Sequence, residues 1–415
     1  MMTMVSGTTL PLDGIRVVDL SRFIAGNMLT VLLADFGADV VKVEDPSKGD
    51  SLRELRDDGL STHWKVYGRN KRSLSLDLRS EQGKAVLLDL VKDADVLVEN
   101  FKVGTLEKMG IGPNTLLSRN PGLVIVRISG YGQTGAYRDR PGFGSLIEAM
   151  SGFAAKNGYA DRPPTLPNMA LGDMVAGVYG AFATLVAVRH KERGGGGQII
   201  DLSLLEPLLS ILGPDPAIYA ATGKIPERTG SRSGVVAPRN VYCSKNERYV
   251  AVSASTQSMA ERLFVAIGQP ELIHDARFRS NSDRLKNVDQ LDKIIQTWIG
   301  GRNRDECLDI FRTAEVTAGQ VYDVRQLIED QHVKTREALI EFPDEHAGTI
   351  LMHNIVPRLS STPGALRRAA PELGCDTEAV LAEIGYSVEW IAELANRGVL
   401  RPLKMDRNEV DRPED

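Results

Sequence analysis

GIRVVDLSRFIAGNMLTVLLADFGADVVKVE, residues 14–44, places one long apolar segment between two short apolar runs. The short runs at 15–20 and 39–44 predict buried strands, and the segment at 28–36 predicts a helix. Because parallel strands need a long crossover connection, usually a helix, this order is typical of a strand–helix–strand unit. The stretch therefore predicts the start of a parallel α/β fold.

The same alternation continues through the first half of the chain. Residues 81–92 show the helical period, and strands are predicted at 96–99, 123–128 and 198–204, the last after a helix at 173–192. Short apolar strands that alternate with helices form parallel sheets covered on both faces. The sequence therefore predicts a doubly wound, Rossmann-like α/β domain that binds its ligands at the carboxyl ends of its strands.

A change in character near residue 212 predicts a second domain. Polar loops rich in glycine and proline follow that point, then a hairpin is predicted across 241–252, and helices extend to about residue 318. The predicted organisation is a large domain at 1–212, a smaller α+β domain at 225–322, a return to the large domain at 340–404, and a disordered charged tail at 405–415.

Composition argues against several classes of protein. The 415 residues carry a net charge of −5 with both signs interspersed, unlike a dedicated nucleic-acid-binding protein. The longest apolar run, residues 174–188, is shorter than the ~18–20 residues that a membrane span needs. Three widely spaced cysteines form neither a disulfide framework nor a zinc site. The sequence predicts a cytoplasmic protein with no nucleic-acid or membrane partner.

Two glycine motifs resemble nucleotide-binding loops but are predicted to be turns. Residues 130–135, GYGQTG, follow a strand, yet loop residues rather than a helix come after the third glycine, so a dinucleotide site is not predicted. The four glycines at 194–197 lack the Lys-Ser or Lys-Thr pair of a phosphate-binding loop. The six histidines form no ligand pair and no G-x-S-x-G motif is present, so neither a metal site nor a serine hydrolase is predicted.

Asp173 is a carboxylate between a glycine-bearing loop and an apolar helix, in the segment LGDMVAG at 171–177. Aspartate at such a position commonly caps the helix by accepting backbone N–H groups. A carboxylate in the same place can also act as a covalent nucleophile. Local sequence favours the cap, because capping aspartates are far more common, and leaves the nucleophile as the alternative.

Eight segments in a fixed order resemble the class III CoA-transferases, the CaiB/BaiF or formyl-CoA transferase family. Each segment alone is weakly specific, but together they extend from Leu12 to about Leu400. The segments are PLDGIRVVDLSRFIAG (11–26), LLADFGADVVKVEDPSKGD (32–50), GRNKRSLSLDL (68–78), ADVLVENFKVGTLEKMGIG (94–112), SGYGQTG (129–135), LGDMVAGVYGAFATLVAVRH (171–190), GGGQIIDLSLLE (195–206) and LGCDTEAVLAEIGY (373–386).

The resemblance implies a fold, a nucleophile and a ligand. It implies a Rossmann-like large domain built from both chain ends, a smaller α+β domain, and an interlocked homodimer. It assigns the catalytic aspartate to Asp173 and makes a coenzyme A thioester the substrate, with no permanently bound cofactor. Basic side chains in the matching segments suit the CoA phosphates. The positions that match CoA-contacting segments are Ala25, Leu76, Arg79, Asn100, Phe101, Lys102 and Lys108, together with Arg22 and Arg140.

Departures from the family pattern bear on the substrates. Ile24 occupies the position of a glutamine in formyl-CoA transferases, which argues against oxalate as acceptor. YRDRPGF at 137–143 resembles relatives that use malate, citramalate or succinate, and Gly144 follows it where many relatives have an acidic residue. The resemblance therefore implies transfer of CoA from a donor such as succinyl-CoA to a small dicarboxylic acid, through an aspartyl-CoA thioester.

Two other functions stay open. An α-methylacyl-CoA racemase shares the fold, but racemases have a histidine where this chain has Phe143, so that base is lacking. A CoA-thioester-binding protein without catalysis is the second alternative. For the transferase, the loop at 230–234 is the predicted lid. The start of the helix at 173–192 is a predicted source of oxyanion donors, and its dipole is expected to keep Asp173 ionised.

Overall fold

The computed structural model describes residues 9–402, so the tail predicted at 405–415 lies outside the described residues. Short 3₁₀ helices lie at Ser51–Glu54 and Pro270–Ile273. In chain order the other elements are β1 (Arg16–Asp19), α1 (Ile24–Asp35), β2 (Asp39–Glu44), α2 (Thr62–Tyr67), β3 (Lys71–Ser75), α3 (Glu81–Lys92), β4 (Val96–Glu99), α4 (Thr105–Lys108), α5 (Pro113–Arg119), β5 (Val124–Ser129), α6 (Gly144–Met150), α7 (Phe153–Lys156), α8 (Leu171–Glu192), β6 (Ile199–Ser203), α9 (Leu205–Ile211), α10 (Asp215–Thr222), β7 (Arg239–Cys243), β8 (Tyr249–Ser253), α11 (Gln257–Ala266), α12 (Asn281–Lys286), α13 (Val288–Gly300), α14 (Arg304–Thr313), β9 (Ala318–Gln320), α15 (Val324–Glu329), α16 (Gln331–Thr335), β10 (Leu339–Asp344), β11 (Gly348–His353), α17 (Thr377–Glu383) and α18 (Val388–Asn396).

The described chain forms two compact units. The large unit contains residues 9–151, 167–211 and 337–402, and the small unit contains 152–166 and 212–336. The segment 152–166 therefore belongs to the small unit, although the sequence prediction assigned it to the large domain at 1–212. Its residues are mostly polar or exposed and show no helical or strand period that would separate them from their neighbours.

A six-stranded parallel sheet forms the centre of the large unit, in the order β3-β2-β1-β4-β5-β6. Val17 of β1 is in register with Val40 of β2 on one side and with Val96 of β4 on the other. The strand order therefore reverses between β1 and β4, and a crevice forms at the carboxyl ends of the strands at such a reversal. The predicted parallel α/β sheet is confirmed.

Both faces of this sheet are covered, as the alternation of side chains along β1 shows. Val17 packs with apolar side chains of α1, α8 and α9, whereas Val18 packs with those of α3, α17 and α18 on the opposite face. Successive residues of a strand point to opposite faces, so a strand buried on both sides is apolar throughout. The C-terminal helices α17 and α18 therefore help to cover one face of the sheet in the large unit.

β3 is a strand that the sequence prediction missed. Lys71 is fully buried, and its Nζ donates to Oδ1 of Asn27 at 2.8 Å. Ser73 is also buried, and its Oγ donates to Oε1 of Glu44 at 2.6 Å. A strand that is buried through polar pairs has no apolar run, and this is the physical reason for the error.

α8 has 22 residues, and its range agrees with the helix predicted at 173–192. By length and composition alone it could cross a membrane, but here it packs against α1 within the large unit. A Cβ on Gly177 would lie 2.6 Å from Cβ of Met28, and one on Gly180 would lie 2.5 Å from Cδ1 of Leu29. The glycines of α8 therefore permit a close approach of the two helices.

The small unit contains the antiparallel sheet β7-β8-β9. Arg239 is in register with Ser253, so the predicted hairpin is confirmed. Apolar side chains of α11, α13 and α14 pack against this sheet, and the Tyr242 hydroxyl donates to Oδ1 of Asp292 at 2.6 Å. These elements give the small unit its α+β character.

Candidate active site

A cleft with a cavity volume of about 150 Å³ lies at the carboxyl ends of four parallel strands. Leu20 follows β1, Asp45 follows β2, Leu76 follows β3, and Phe101 lies just beyond β4. This is the edge at which open α/β sheets bind ligands. The lining residues are Leu20, Ser21, Arg22, Val43, Glu44, Asp45, Gly49, Asp50, Leu76, Asp77, Leu78, Arg79, Phe101, Thr105 and Met109.

Arg22 and Asn100 join the two strands between which the strand order reverses. The Arg22 backbone N–H donates to Oδ1 of Asn100 at 2.8 Å, and Nδ2 of Asn100 donates back to the Arg22 carbonyl at 2.6 Å. The Arg22 guanidinium lies 4.9 Å from the centre of the Phe101 ring. These contacts hold a cation beside an apolar ring at the mouth of the cleft.

A buried network supports the turn that carries Arg22. Phe23 has a left-handed backbone, with φ of 68°, and its N–H donates to Oδ1 of Asp50 at 2.9 Å. Asp50 also pairs with Nζ of Lys42 at 2.8 Å, and both side chains are fully buried. Strained backbone of this kind persists only where its surroundings hold it in place. We infer that the Lys42–Asp50 pair fixes the position of Arg22.

The cleft contains acidic as well as basic side chains. Nη1 of Arg79 lies 3.5 Å from Oδ2 of Asp45, and the Arg79 side chain is 81% exposed. Glu44, Asp50 and Asp77 also line the cleft, and sequence analysis did not identify them. Glu44 ends β2 and Asp77 follows β3, and these places at strand ends were the available signal. Glu44 and Asp50 are paired with Arg53 and Lys42, so Arg22 and Arg79 are the cleft residues that suit an anionic ligand.

Asp173 lies in the first turn of α8, at the same edge of the sheet. α8 precedes β6 and crosses the sheet against the strand direction, so its N-terminus lies at the carboxyl ends. The N-cap residue is Ala170, which makes no side-chain cap hydrogen bond, and Asp173 is the third residue of the helix. Asp173 is therefore not the N-cap residue of α8, and its role as nucleophile stays a prediction.

The Asp173 carboxylate lies directly against Gly144, the first residue of α6. A Cβ on Gly144 would come within 2.1 Å of Oδ2 of Asp173, which is far inside contact distance. On the next residue of α8, Met174 packs in the same apolar cluster as Phe23. Because Phe23 is adjacent to Arg22, that cluster links the first turn of α8 to the turn that carries the cleft cation.

The environment of Asp173 makes its carboxylate more basic than usual. Burial, with the charge of Glu148 as a second cause, raises the pKa of Asp173 to about 6. Burial and the charge of Glu148 therefore outweigh the backbone hydrogen bond, which acts in the opposite direction. The group is still mainly ionised at pH 7, one unit above that value.

The profile of CoA-transferase family III matches residues 12–377. The chain belongs to CoA-transferase family III. It is 39% identical over 394 residues to the succinyl-CoA–D-citramalate CoA-transferase of Chloroflexus aurantiacus, covering 94% of this chain and 98% of that protein. The alpha subunit of the succinyl-CoA–L-malate CoA-transferase from the same organism is 38% identical, with 94% and 93% covered. A CaiB/BaiF family protein from Brucella suis superposes with a TM-score of 0.80 at 31% identity, covering 91% of this chain and 100% of that one.

The structure of this CoA-transferase brings together some of the positions that match CoA-contacting segments. Arg22, Leu76, Arg79 and Phe101 line the cleft, and Asn100 supports its wall.

The other matching positions do not line the cleft. Ala25 is buried in α1 close to Gly177 of α8. Lys102 and Lys108 are exposed. Arg140 lies on the exposed loop before α6, with its guanidinium 3.6 Å from the centre of the Tyr137 ring. These four assignments stay predictions.

Chemistry at this site of the CoA-transferase involves carboxylates, hydroxyls and cations. Within residues 9–402, no three His, Cys, Asp or Glu side chains lie together as metal ligands.

Two residues lie beside Asp173 that the sequence did not link to it. They are Gly144, which was noted only as a departure from the family pattern, and Glu148. Their spacing of four residues on a helix was the available signal, since such residues share one face.

Proposed function

We propose that this CoA-transferase moves CoA from succinyl-CoA to a small dicarboxylic acid, with Asp173 as the covalent nucleophile. The observation that carries the proposal is the Asp173 carboxylate, half-buried in the first turn of α8 and fitted against Gly144. The names of the two Chloroflexus aurantiacus relatives support succinyl-CoA as donor and a dicarboxylate as acceptor. Coenzyme A thioesters are then substrates, and no permanently bound cofactor is proposed.

The proposed mechanism passes through two covalent states of Asp173. An Oδ atom attacks the thioester carbonyl, the C–S bond breaks, and an acyl-aspartyl anhydride and CoA thiolate result. The thiolate attacks Cγ of Asp173, which releases the donor carboxylate and leaves an aspartyl-CoA thioester. The acceptor carboxylate then attacks Cγ, the Cγ–S bond breaks, and a new anhydride and CoA thiolate result. The thiolate attacks the acceptor carbonyl of this anhydride, which gives the product thioester and releases Asp173 as the free carboxylate.

A carboxylate nucleophile suits this exchange because an anhydride keeps the acyl group activated, whereas an ester would not. The raised pKa of Asp173 makes it a stronger nucleophile while leaving it ionised at neutral pH. Transfer is expected to decrease as the pH falls through about 6, since protonated Asp173 cannot attack. The loop at 230–234 and the N–H groups at the start of α8 stay predictions for the lid and the oxyanion donors.

We also propose that the enzyme works as an interlocked homodimer. Exposed apolar side chains on α8 recur with helical spacing: Val178 is 49% exposed, Phe182 is 66% exposed and Val186 is 54% exposed. Phe143, which precedes α6, is 70% exposed. Contiguous apolar surface of this kind marks protein–protein contact. Light scattering should give twice the chain mass of 45.3 kDa, and a single-chain mass would contradict the proposal.

The proposed setting is the cytoplasm. Cys243, Cys307 and Cys375 are all free thiols in the structure. Chains that keep their cysteines unpaired are typical of reducing compartments. No nucleic-acid or membrane partner is proposed.

Arg79→Ala is expected to raise the KM for succinyl-CoA by about tenfold and leave kcat nearly unchanged. Loss of one charge-assisted phosphate contact weakens binding of ground state and transition state alike. The decisive measurement compares succinyl-CoA with succinyl-dephospho-CoA, which lacks the 3′-phosphate. If Arg79 binds that phosphate, the KM values of the variant and the parent will differ for succinyl-CoA and agree for succinyl-dephospho-CoA. Equal KM values for succinyl-CoA would contradict the assignment, and Arg397→Ala, directly after α18, is the control.

The test of the function incubates the enzyme with succinyl-CoA and a panel of acids, and follows new thioesters by mass spectrometry. Malate, citramalate and related dicarboxylates are expected to yield products, and oxalate is not. Hydroxylamine added during turnover should convert the aspartyl thioester into a hydroxamate at Asp173. Label found only at another residue would contradict the proposed nucleophile.

The racemase alternative is disfavoured by the site. Racemisation needs an acid and a base on opposite sides of the acyl α-carbon. Phe143, which occupies the position of the racemase histidine, cannot transfer a proton. Proton exchange at the α-carbon of a 2-methylacyl-CoA without formation of a new thioester would favour the racemase. Thioester binding without either reaction would favour the non-catalytic binding protein.

A further inference from the structure

Glu148 lies one helical turn after Gly144 on α6, so the two residues face the first turn of α8 together. The Glu148 side chain is 2% exposed. Its Oε1 accepts a hydrogen bond from the Gly172 N–H at 3.0 Å. This N–H belongs to the first turn of α8, where backbone donors have no partner within the helix. Glu148 therefore fixes the backbone of the residue that precedes Asp173.

We infer that Glu148 is a positioning residue for Asp173, which orients the first turn of α8 and opposes the negative charge of the free nucleophile. The inference rests on the proposed role of Asp173. Glu148 acts through Gly172 and through its charge, and it is assigned no contact with the substrate.

The repulsion between the two carboxylates changes during the reaction. It is present when Asp173 is free and ionised, and it disappears in the anhydride and in the aspartyl thioester, where Asp173 carries no charge. Two close carboxylates in a buried site destabilise their joint ionisation. Glu148 therefore destabilises the resting enzyme relative to both covalent intermediates, which favours attack on the donor thioester.

After burial, the charge of Glu148 is the second cause that raises the pKa of Asp173. On the neighbouring helix α9, Glu206 accepts a hydrogen bond from the Ser203 hydroxyl at 2.6 Å. On α1, Asp35 lies at the C-terminal end of the helix and pairs with Arg69 at 2.7 Å. These two acids have partners of their own, so neutralising Glu148 is the selective way to change the charge beside the nucleophile.

The experiment compares the parent with Glu148→Gln, Glu148→Leu and the control Glu206→Gln. The glutamine amide oxygen can still accept the Gly172 N–H, so Glu148→Gln removes the charge and keeps the hydrogen bond. Hydroxamate formation at Asp173 is followed after rapid mixing with succinyl-CoA and hydroxylamine, between pH 4.5 and 8.

For Glu148→Gln, the acidic midpoint of the rate is expected to fall by about one pH unit, and the rate at pH 7 by about tenfold. Glu148→Leu should lower the rate at pH 7 further, because leucine also removes the hydrogen bond to the Gly172 N–H. The control should keep the parent profile.

Two results overturn the inference in different ways. If the parent forms the Asp173 hydroxamate and Glu148→Gln keeps the parent midpoint and rate, the role of Glu148 is wrong while the nucleophile stands. If the parent forms no hydroxamate at Asp173, the nucleophile assignment fails and the role of Glu148 fails with it. A change in rate without a change in midpoint also overturns the charge argument, because a purely structural role would not move the midpoint.

Discussion

Asp173→Asn is expected to lower the rate of CoA transfer by at least about a thousandfold at pH 7. The amide keeps the shape of the side chain but is a poor nucleophile toward a thioester. Removing a covalent nucleophile leaves only binding and electrostatic stabilisation, which account for a small part of the acceleration. The measurement is the initial rate of new thioester formation, with the parent enzyme assayed in parallel.

The same variant is expected to stay folded and to be at least as stable as the parent at pH 7. Folding raises the pKa of Asp173 to about 6, mainly through burial. A carboxyl whose pKa rises on folding opposes folding once it is ionised; this cost is complete above pH 6 and disappears as the pH falls to 3.8, the ordinary pKa of an aspartate. Asparagine removes the cost, so the free energy of unfolding in urea should not decrease. A stable variant that transfers CoA at the parent rate would show that Asp173 is not the nucleophile.

The sequence predicts the fold well where burial is apolar. Val17 and Val18 pack against opposite layers, so β1 has the continuous apolar run by which buried strands are recognised. β3 was not predicted because it has no such apolar run. Its residues Lys71 and Ser73 are buried through hydrogen bonds to partners on α1 and β2. Such pairs join residues far apart in sequence, and no local period reveals them.

The candidate site was predictable where a residue follows a strand directly. Leu76 and Phe101 come just after β3 and β4, and strand ends meet at one edge of a parallel sheet. The surroundings of Asp173 were not predictable in this way. Gly144 and Glu148 reach Asp173 because α6 packs against the first turn of α8, and that contact depends on tertiary packing. Local sequence alone consequently favoured a helix cap.

Gly144→Ala is expected to lower kcat by about a hundredfold with little change in the KM for succinyl-CoA. The added methyl group would lie 2.1 Å from Oδ2 of Asp173, so the carboxylate must move by about an ångström or more. Displacement of a reacting group by that amount costs on the order of a hundredfold, because attack on a thioester requires close alignment. The CoA cleft is lined by other elements, which is why binding should survive.

Gly172→Ala provides the matched comparison for this site. Its Cβ would meet Cγ of Glu148 and the Gly144 carbonyl oxygen at 3.6 Å, which is ordinary contact distance, so less than about a tenfold loss is expected. Steady-state kinetics on both variants separate a steric effect on the nucleophile from a general effect of adding a methyl group to this turn. A Gly144→Ala enzyme with the kcat of the parent would mean that the Asp173 carboxylate does not lie against Gly144 during the reaction. An acidic side chain at position 144 would then be compatible with this active site, and glycine there would have no role in catalysis.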